Sequence, residues 1–385
     1  MTTLVHVPMA LSTQGSTLMA VAQSLIDAAE ATDITSAAIL SHNRDLSLRG
    51  AEIDYVDYTE RSPREWFTRA EQGIDVIAGG AGLVRPYFGR LYDPAVVAAE
   101  KRSGSVVLLY EGHYASATLP RWQSVRNRST VVLYVHNPLS RSYSRRELRR
   151  LLGHADAVIF CADHLREDVE RRLGGSSPVE LLTVHNGVDQ LFFPDPGAPA
   201  EPFTIVFAGR PVQNKGTHLV LEAAEVAAAR SSRELRVEII GSDTYGYETS
   251  TLTDFEKELR VRAEKLTVPV RFIPFLEKAE LARHLRRAGV VCLPSQWAEG
   301  LPLVALEAMA SGVPVVTSDS AGMVEAVADA GFVVPGGDPQ GMGERIAALA
   351  GSDVAWREAR ERSLIRAQAF SWQAAAETFA GLMRR

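Results

Sequence analysis

The sequence predicts an α/β chain built from two doubly wound parallel-sheet domains in tandem. Three observations carry that prediction. Short, continuously apolar, β-rich runs alternate with helical patterns along most of the chain, the pattern of a parallel sheet covered by helices on both faces. The alternation breaks at Asp189–Pro202, DQLFFPDPGAPAEP, a proline-rich stretch without periodicity, and then restarts. The length of 385 residues exceeds one ordinary domain, and 46% hydrophobic with 23% charged residues are the proportions of a folded globular protein.

In chain order, TLVHVPM reads as a first strand, followed by a turn at Gly15 and a helix through LMAVAQSLIDAAE. Strands follow at ITSAAIL, IDVIA, SVVLLY, TVVLYVH, DAVIFCA and VELLTVH, and the helical segments REWFTRAE, RRELRRLLG and HLREDVERRL lie between several of them. After the break come FTIVFAG, a helix from Thr217 to Ala229, LRVEIIGS, VPVRFIPF, GVVCLPS, VPVVTSD and GFVVP. This places a first domain at residues 1–190, a linker at 191–202 and a second domain at 203–370. The last helix, within 371–385, joins Phe370 in an apolar face of Trp372, Phe379 and Leu382 and is expected to pack back on the first domain. Ligands of such sheets bind beyond the carboxyl ends of the strands, so two facing domains are expected to form a deep cleft.

Charge excludes some functions. A formal net charge of −6 gives no global attraction to nucleic acid or to an anionic membrane. The only cysteines, Cys161 and Cys292, sit in strand-like runs and read as buried free thiols. No apolar run approaches the ~20 residues of a spanning helix, and MTTLVHVPMALSTQG lacks the basic start and long apolar core of a signal peptide. The expectation is a cytoplasmic protein with at most peripheral contact at the inner face of a membrane.

The stretch AEGLPLVALEAMASG, Ala298 to Gly312, carries the chemistry. It follows the strand GVVCLPS, with Pro302 suited to the first turn of a helix and Gly312 to its end. Glu299 then lies in the loop before that helix and Glu307 in its second turn, two acids among small and apolar neighbours. Carboxylates so placed can accept hydrogen bonds from sugar hydroxyls, and the helix start, with Gly300 allowing close approach, suits a phosphate. A helix-start acid and an exposed helix face are the plain alternatives.

LPSQWAEGLPLVALEAMASGVPVV resembles the E-x7-E region of the retaining family-4 glycosyltransferases, which have the GT-B architecture of two Rossmann-like domains. The resemblance extends in order from about Val131 to Trp372. FAGRPVQNKG is similar to that family's G-R-x(n)-K-G loop, VHNGVD to its N-G-V-D hinge, HADAVIFCADHLRED to its A-D-x-(V/I) strand and following helix, and FSW to the start of its closing helix. The resemblance implies that Arg210 and Lys215 contact a donor diphosphate, where two cations neutralise charge growing on the leaving group. It implies that Glu299 takes the hydroxyls of the transferred sugar, aided by the stretch Gly300, Leu301, Pro302 and Leu303, and that Glu307 takes the ribose. His136, which ends TVVLYVH, resembles the family histidine that reaches across the cleft to the donor sugar; a surface histidine at a strand end is the plain alternative.

The chain also departs from the family pattern. Only Gly15 stands where a paired-glycine turn is common, so a backbone approach to the donor phosphate or to the acceptor is assigned to Gly15 alone, with donor binding as its first reading. Pro274 in FIPF replaces a usual glycine, and AGGAGLVRP stands in place of a common H-x-H. That glycine run lacks the third glycine of a dinucleotide fingerprint, so no NAD site is expected. For the acceptor, Glu111, His113 and Tyr114 in YEGHYASATLPRW are the candidates, an ordinary crossover being the alternative. Arg141, Arg145 and Arg149 form a basic helix face that suits anionic lipid, a phosphorylated acceptor or solvent. With no D-x-D motif anywhere, no metal and no cofactor is expected to be required. The implied function is retaining transfer of a hexosyl unit from a UDP- or GDP-sugar to the hydroxyl of a saccharide, a lipid-linked sugar or a small molecule. Another GT-B sugar-nucleotide enzyme, an epimerase or a phosphorylase, and a non-catalytic sugar-nucleotide binder stay open at this point.

Overall fold

The computed structural model describes residues 2–8, 16–32, 34–42, 46–58, 91–111, 115–139, 143–193, 201–242 and 252–382. IDVIA, REWFTRAE and AGGAGLVRP lie outside the described residues, as do Gly15, His113, Tyr114 and Arg141. The chain divides into two units, Met1–Asn186 with Trp372–Arg385, and Gly187–Ser371.

Among the described residues the first unit carries a seven-stranded sheet in the order β3-β2-β1-β4-β5-β6-β7, every pairing parallel. The strands are β1 (Thr2–Val7), β2 (Ile34–Ser41), β3 (Ala51–Val56), β4 (Val106–Glu111), β5 (Thr130–Val135), β6 (Ala157–Phe160) and β7 (Glu180–Thr183). All of β4 and β6 and all but the first residue of β5 are buried. Strands covered on both faces need apolar side chains at every position, which is why these runs read as continuous rather than alternating. The helices are α1 (Thr17–Ala29), α2 (Asp93–Glu100), α3 (Gln123–Arg126), α4 (Arg145–Leu152) and α5 (Asp163–Leu173). Ser144 caps α4 through a capping box with Glu147, and Leu148, Leu151 and Leu152 form its buried face.

The strand β3 is an addition to the sequence reading. Its run AEIDYV carries Glu52 and Asp54, which mask the apolar pattern. Among the described residues it lies at one edge of the sheet, and both acids are held by Arg102, at 3.1 and 2.7 Å.

The second unit carries a six-stranded parallel sheet among the described residues, in the order β10-β9-β8-β11-β12-β13. Its strands are β8 (Phe203–Ala208), β9 (Leu235–Ile240), β10 (Val270–Ile273), β11 (Val290–Leu293), β12 (Val315–Ser318) and β13 (Phe332–Val334). Its helices are α6 (Thr217–Ala228), α7 (Asp254–Ala263), α8 (Lys278–Leu285), α9 (Leu303–Ala310), α10 (Ala321–Val327), α11 (Pro339–Ala350) and α12 (Asp353–Ala367). Trp356 on α12 is buried and donates its indole N–H to the Gly289 carbonyl at 2.6 Å, fixing α12 beside the start of β11. The unit begins before β8: the Val188 N–H donates to the Phe370 carbonyl at 3.2 Å, and Asp189 pairs with Lys278 at 2.6 Å.

The final helix α13 (Trp372–Leu382) belongs to the first unit, where Phe379 is buried edge-on against Tyr134 at 5.3 Å between ring centroids. Both cysteines are free and buried, and burial pushes the Cys292 thiol up to about 12. Among the described residues no helix is long and apolar enough to cross a membrane.

Candidate active site

In the second unit the candidate donor residues gather at the carboxyl ends of β8 and β11. Beyond Ala208 the chain runs through Gly209 and a half-buried Arg210 into a 3-10 turn, Gln213–Lys215, before Gly216 opens α6. Gly216 has φ +71°, and a Cβ there would meet the Pro294 carbonyl oxygen at 2.1 Å. Only glycine lets this loop lie so close to the loop after β11. The Gln296 N–H donates to the Asn214 carbonyl at 2.8 Å and ties the two loops together.

That contact sets the central geometry. Lys215 Nζ reaches Glu299 Oε1 at 2.5 Å, and the Ser295 hydroxyl donates to the same oxygen at 2.7 Å. Glu299 is only 9% exposed. A carboxylate so far removed from water is stable because a cation and a hydroxyl satisfy it.

The loop carrying Glu299 is braced by the segment after β12. Ser318 donates to the Ser295 carbonyl at 2.5 Å and Ser320 to the Trp297 carbonyl at 2.7 Å. A Cβ on Gly322 would lie 1.9 Å from the Gly300 carbonyl oxygen, so a bare backbone is required there. Ser295, Ser318, Ser320 and Gly322 are absent from the sequence-derived candidates. The serine- and glycine-rich run TSDSAG at Thr317–Gly322 was the available signal.

Pro302 occupies the cap of α9, at φ −73° and ψ 110°, one position before the first turn assigned to it from sequence. Its ring fixes φ at a value both settings share, while ψ here is extended. Among the described residues the N–H groups of Gly300, Leu301, Leu303 and Val304 have no acceptor. Four unfilled donors at the positive end of a helix, beside Lys215, make a shelf suited to an anion.

Glu307 sits apart from this cluster. It is half-buried in the second turn of α9, and its electrostatic neighbours are Lys278 and Asp189, themselves paired at 2.6 Å. Burial pushes the Glu307 carboxyl up to about 7, with Lys278 pulling it down and Asp189 pushing it up. The two acids of the E-x7-E stretch therefore occupy different settings, one ion-paired and one poised to titrate.

In the first unit His136 follows β5 directly. Its N–H donates to the Glu111 carbonyl at 3.1 Å, and the side chain is buried. Its Nε2 has no partner among the described residues, and burial holds the imidazole down at about 3, so it is neutral at physiological pH. Glu111 ends β4 and is buried, with its carboxylate accepting the Ser116 N–H at the start of the 3-10 turn Ala115–Trp122. On α4 the arginines face outward: Arg145 lies over Gly174, and Arg149 donates to the Ser176 hydroxyl at 2.8 Å.

The profile of the family described as Glycosyl transferases group 1 matches residues 189–366. The chain is 32% identical over 308 residues to the D-inositol 3-phosphate glycosyltransferase of Kineococcus radiotolerans, covering 71% of this chain and 69% of that protein. It is 32% identical over 251 residues to the enzyme of the same name from Kribbella flavida, covering 60% of this chain and 58% of that one. Among solved structures, Anabaena HepE in complex with UDP-glucose superposes with a TM-score of 0.70 at 18% identity, over 99% of both chains. Sucrose-phosphate synthase from Thermosynechococcus elongatus gives 0.70 at 19% identity, over 100% of this chain and 98% of that one. Two parallel-sheet units, a family match that begins at the second of them, and a relative matched over two thirds of its length converge: this chain is a glycosyltransferase of the GT-B fold and belongs to the glycosyl transferases group 1 family.

Proposed function

We propose that this glycosyltransferase is a retaining, metal-independent hexosyltransferase. Its donor is a nucleoside-diphosphate sugar, UDP- or GDP-linked, and its acceptor is a hydroxyl of a saccharide or polyol. The observation that carries the reading is the Lys215–Glu299 contact at 2.5 Å beside the unfilled N–H groups at the start of α9. It sets a diphosphate-binding cation next to a hydroxyl-binding acid, which is the adjacency of phosphate and sugar in a glycosyl diphosphate. Among the proteins compared, HepE solved with UDP-glucose and the D-inositol 3-phosphate glycosyltransferases support the same classes of ligand.

In this reading Lys215, Arg210 and the α9 N–H groups hold the diphosphate and neutralise charge that grows as the bond from C1 to the phosphate oxygen breaks. Lys215 exchanges its contact with Glu299 for the phosphate, and the freed Glu299 oxygens accept the sugar hydroxyls. Gly300, Leu301 and Leu303 contribute backbone N–H groups, and Pro302 fixes the turn that aims them. Gly15 is assigned a backbone approach to the donor, and Glu307 takes the ribose. The resemblance gives His136 a contact with the reacting sugar. The acceptor oxygen forms its bond to C1 on the face the phosphate leaves, and the departing phosphate oxygen takes the acceptor proton, so the anomeric configuration is kept. Glu111, His113 and Tyr114 remain the acceptor candidates. The absence of any D-x-D motif supports charge neutralisation by these cations.

The test is turnover with a panel of UDP-, GDP- and dTDP-sugars against saccharide and polyol acceptors, with the product anomer read by NMR. Lys215→Ala and Glu299→Ala are expected to lower kcat/KM by at least about a hundredfold with the fold retained. Wild-type turnover in either variant, or an inverted anomer, would overturn the reading.

A further inference from the structure

The carboxyl ends of β4 and β5 hold a buried polar and aromatic cluster. Tyr110 and Tyr134 are register partners on adjacent strands, so their side chains stand side by side on one face of the sheet. The His136 imidazole, two residues beyond Tyr134, lies against both rings. It stacks parallel to Tyr110, with centroids 5.7 Å apart and planes 1° apart. It meets Tyr134 at 4.2 Å and 59°. Parallel stacking on one side and a tilted ring on the other leave little freedom for χ2 rotation.

Each tyrosine is itself fixed. The Tyr110 hydroxyl is hydrogen-bonded to His6 Nδ1 on β1 at 2.7 Å, and the Tyr134 hydroxyl donates to Asn186 Oδ1 at 3.0 Å. All four of His6, Tyr110, Tyr134 and Asn186 are buried. Phe379 packs edge-on against Tyr134 from α13. Both rings therefore bury their polar ends without the cost of an unpaired hydroxyl. Among the described residues two imidazole nitrogens of the cluster are buried without a partner, His136 Nε2 and His6 Nε2, and of the two histidines only His136 lies against both tyrosine rings. Both tyrosine hydroxyls are taken up by His6 and Asn186 and are not turned toward His136.

We propose that Tyr110 and Tyr134 are positioning residues for His136: a two-ring clamp, anchored by His6 and Asn186, that sets the plane of the imidazole and so the direction in which Nε2 points. The kinetic part of this proposal rests on the contact between His136 and the reacting sugar given under Proposed function. The clamp itself rests on the ring geometry alone. Reacting groups misplaced by about 1 Å can lose a hundredfold in rate, so loosening the ring lowers turnover even though neither tyrosine touches substrate.

The experiment compares Tyr110→Leu and Tyr134→Leu with Tyr110→Phe and Tyr134→Phe in the full chain, with His136→Ala as reference. Kinetics are read together with the ring signals of His136 in a long-range 1H–15N correlation spectrum. The leucine variants are expected to lower kcat about tenfold or more with donor KM changed by less than about threefold, and to shift or broaden the His136 signals. The phenylalanine variants keep the rings and are expected to retain kcat within about threefold. Folded leucine variants with wild-type kcat and unmoved His136 signals overturn the clamp, and so do phenylalanine variants as damaging as the leucine ones. Wild-type turnover by His136→Ala overturns the sugar contact instead, and the spectra of the leucine variants then decide the clamp on their own. If removal of a ring prevents folding, the unaltered protein still decides it. Its His136 ring protons must show nuclear Overhauser contacts to both tyrosine rings and a single tautomer at neutral pH, and the absence of either overturns the proposal.

Discussion

At the residue scale, the two acids of the E-x7-E stretch differ in how they respond to pH. Among the described residues no cation forms an ion pair with Glu307; Lys278, which acts on it at longer range, pairs with Asp189, and burial lifts the Glu307 carboxyl from its ordinary 4.5 to about 7. The sign follows from which state binds the proton more tightly. The folded chain does, so the contribution of Glu307 to stability is full below about 4.5 and is lost as pH rises through about 7. In its proposed ribose-binding role Glu307 runs the other way, since a hydroxyl-accepting carboxylate must be ionised to offer both oxygens. Affinity for a nucleotide sugar, whose diphosphate is fully ionised over this range, is therefore expected to rise by up to about tenfold from about pH 6 to 8. Calorimetric titration would measure it, and Glu307→Gln should flatten the dependence. Lys278→Met should move the inflection to higher pH and Asp189→Asn to lower pH, because the cation lowers the Glu307 carboxyl and the anion raises it. A flat profile in the unaltered protein removes Glu307 from the donor site.

At the element scale, the loop between β11 and α9 is shaped less by its own residues than by α10 behind it. Gly322, the second residue of α10, lies where any Cβ would strike the Gly300 carbonyl at 1.9 Å and the Glu299 carbonyl at 2.7 Å. Both atoms are backbone and cannot rotate away. Gly322→Ala is therefore expected to push the loop outward, separate Glu299 from Lys215 and weaken donor binding by about tenfold or more, with overpacking of roughly 1–3 kcal/mol. Gly381→Ala is the control, because a Cβ there meets nothing within 4 Å; helix propensity alone makes it neutral to stabilising by about 0.5–1 kcal/mol. Thermal unfolding and donor titration on the two variants separate the effects. Equal donor affinity in Gly322→Ala and the unaltered protein would show that the loop holds its shape without α10. The serines point the same way: Ser318 and Ser320 each donate to a loop carbonyl, so the strand end and the helix start together frame the acid.

At the scale of the whole molecule, both sheets were legible because fully buried parallel strands leave continuous apolar runs, as in VVLLYE and FTIVFA. The edge strand β3 was not, because Glu52 and Asp54 owe their place to Arg102, which follows them only after α2. The same limit applies at the site. Lys215 and Glu299 stand out in sequence as members of two motifs, but their contact depends on Gly216 meeting Pro294, and no local pattern encodes a distant neighbour. Likewise the company of Glu307, Lys278 and Asp189, comes from two other parts of the chain. The first unit is also discontinuous, because its last helix follows the second unit in the chain. Phe379 is 1% exposed and packs on Tyr134, so Phe379→Ala is expected to cost the first unit about 3–5 kcal/mol, a fall of roughly 10 °C for a unit of this size. The second unit keeps its own core and its own candidate ligand groups. A nucleotide sugar should therefore raise its transition by mass action in the variant as in the unaltered protein. Scanning calorimetry with and without the nucleotide sugar would resolve the two responses. A single transition displaced by both the substitution and the ligand would instead mean that α13 and the donor residues belong to one cooperative unit.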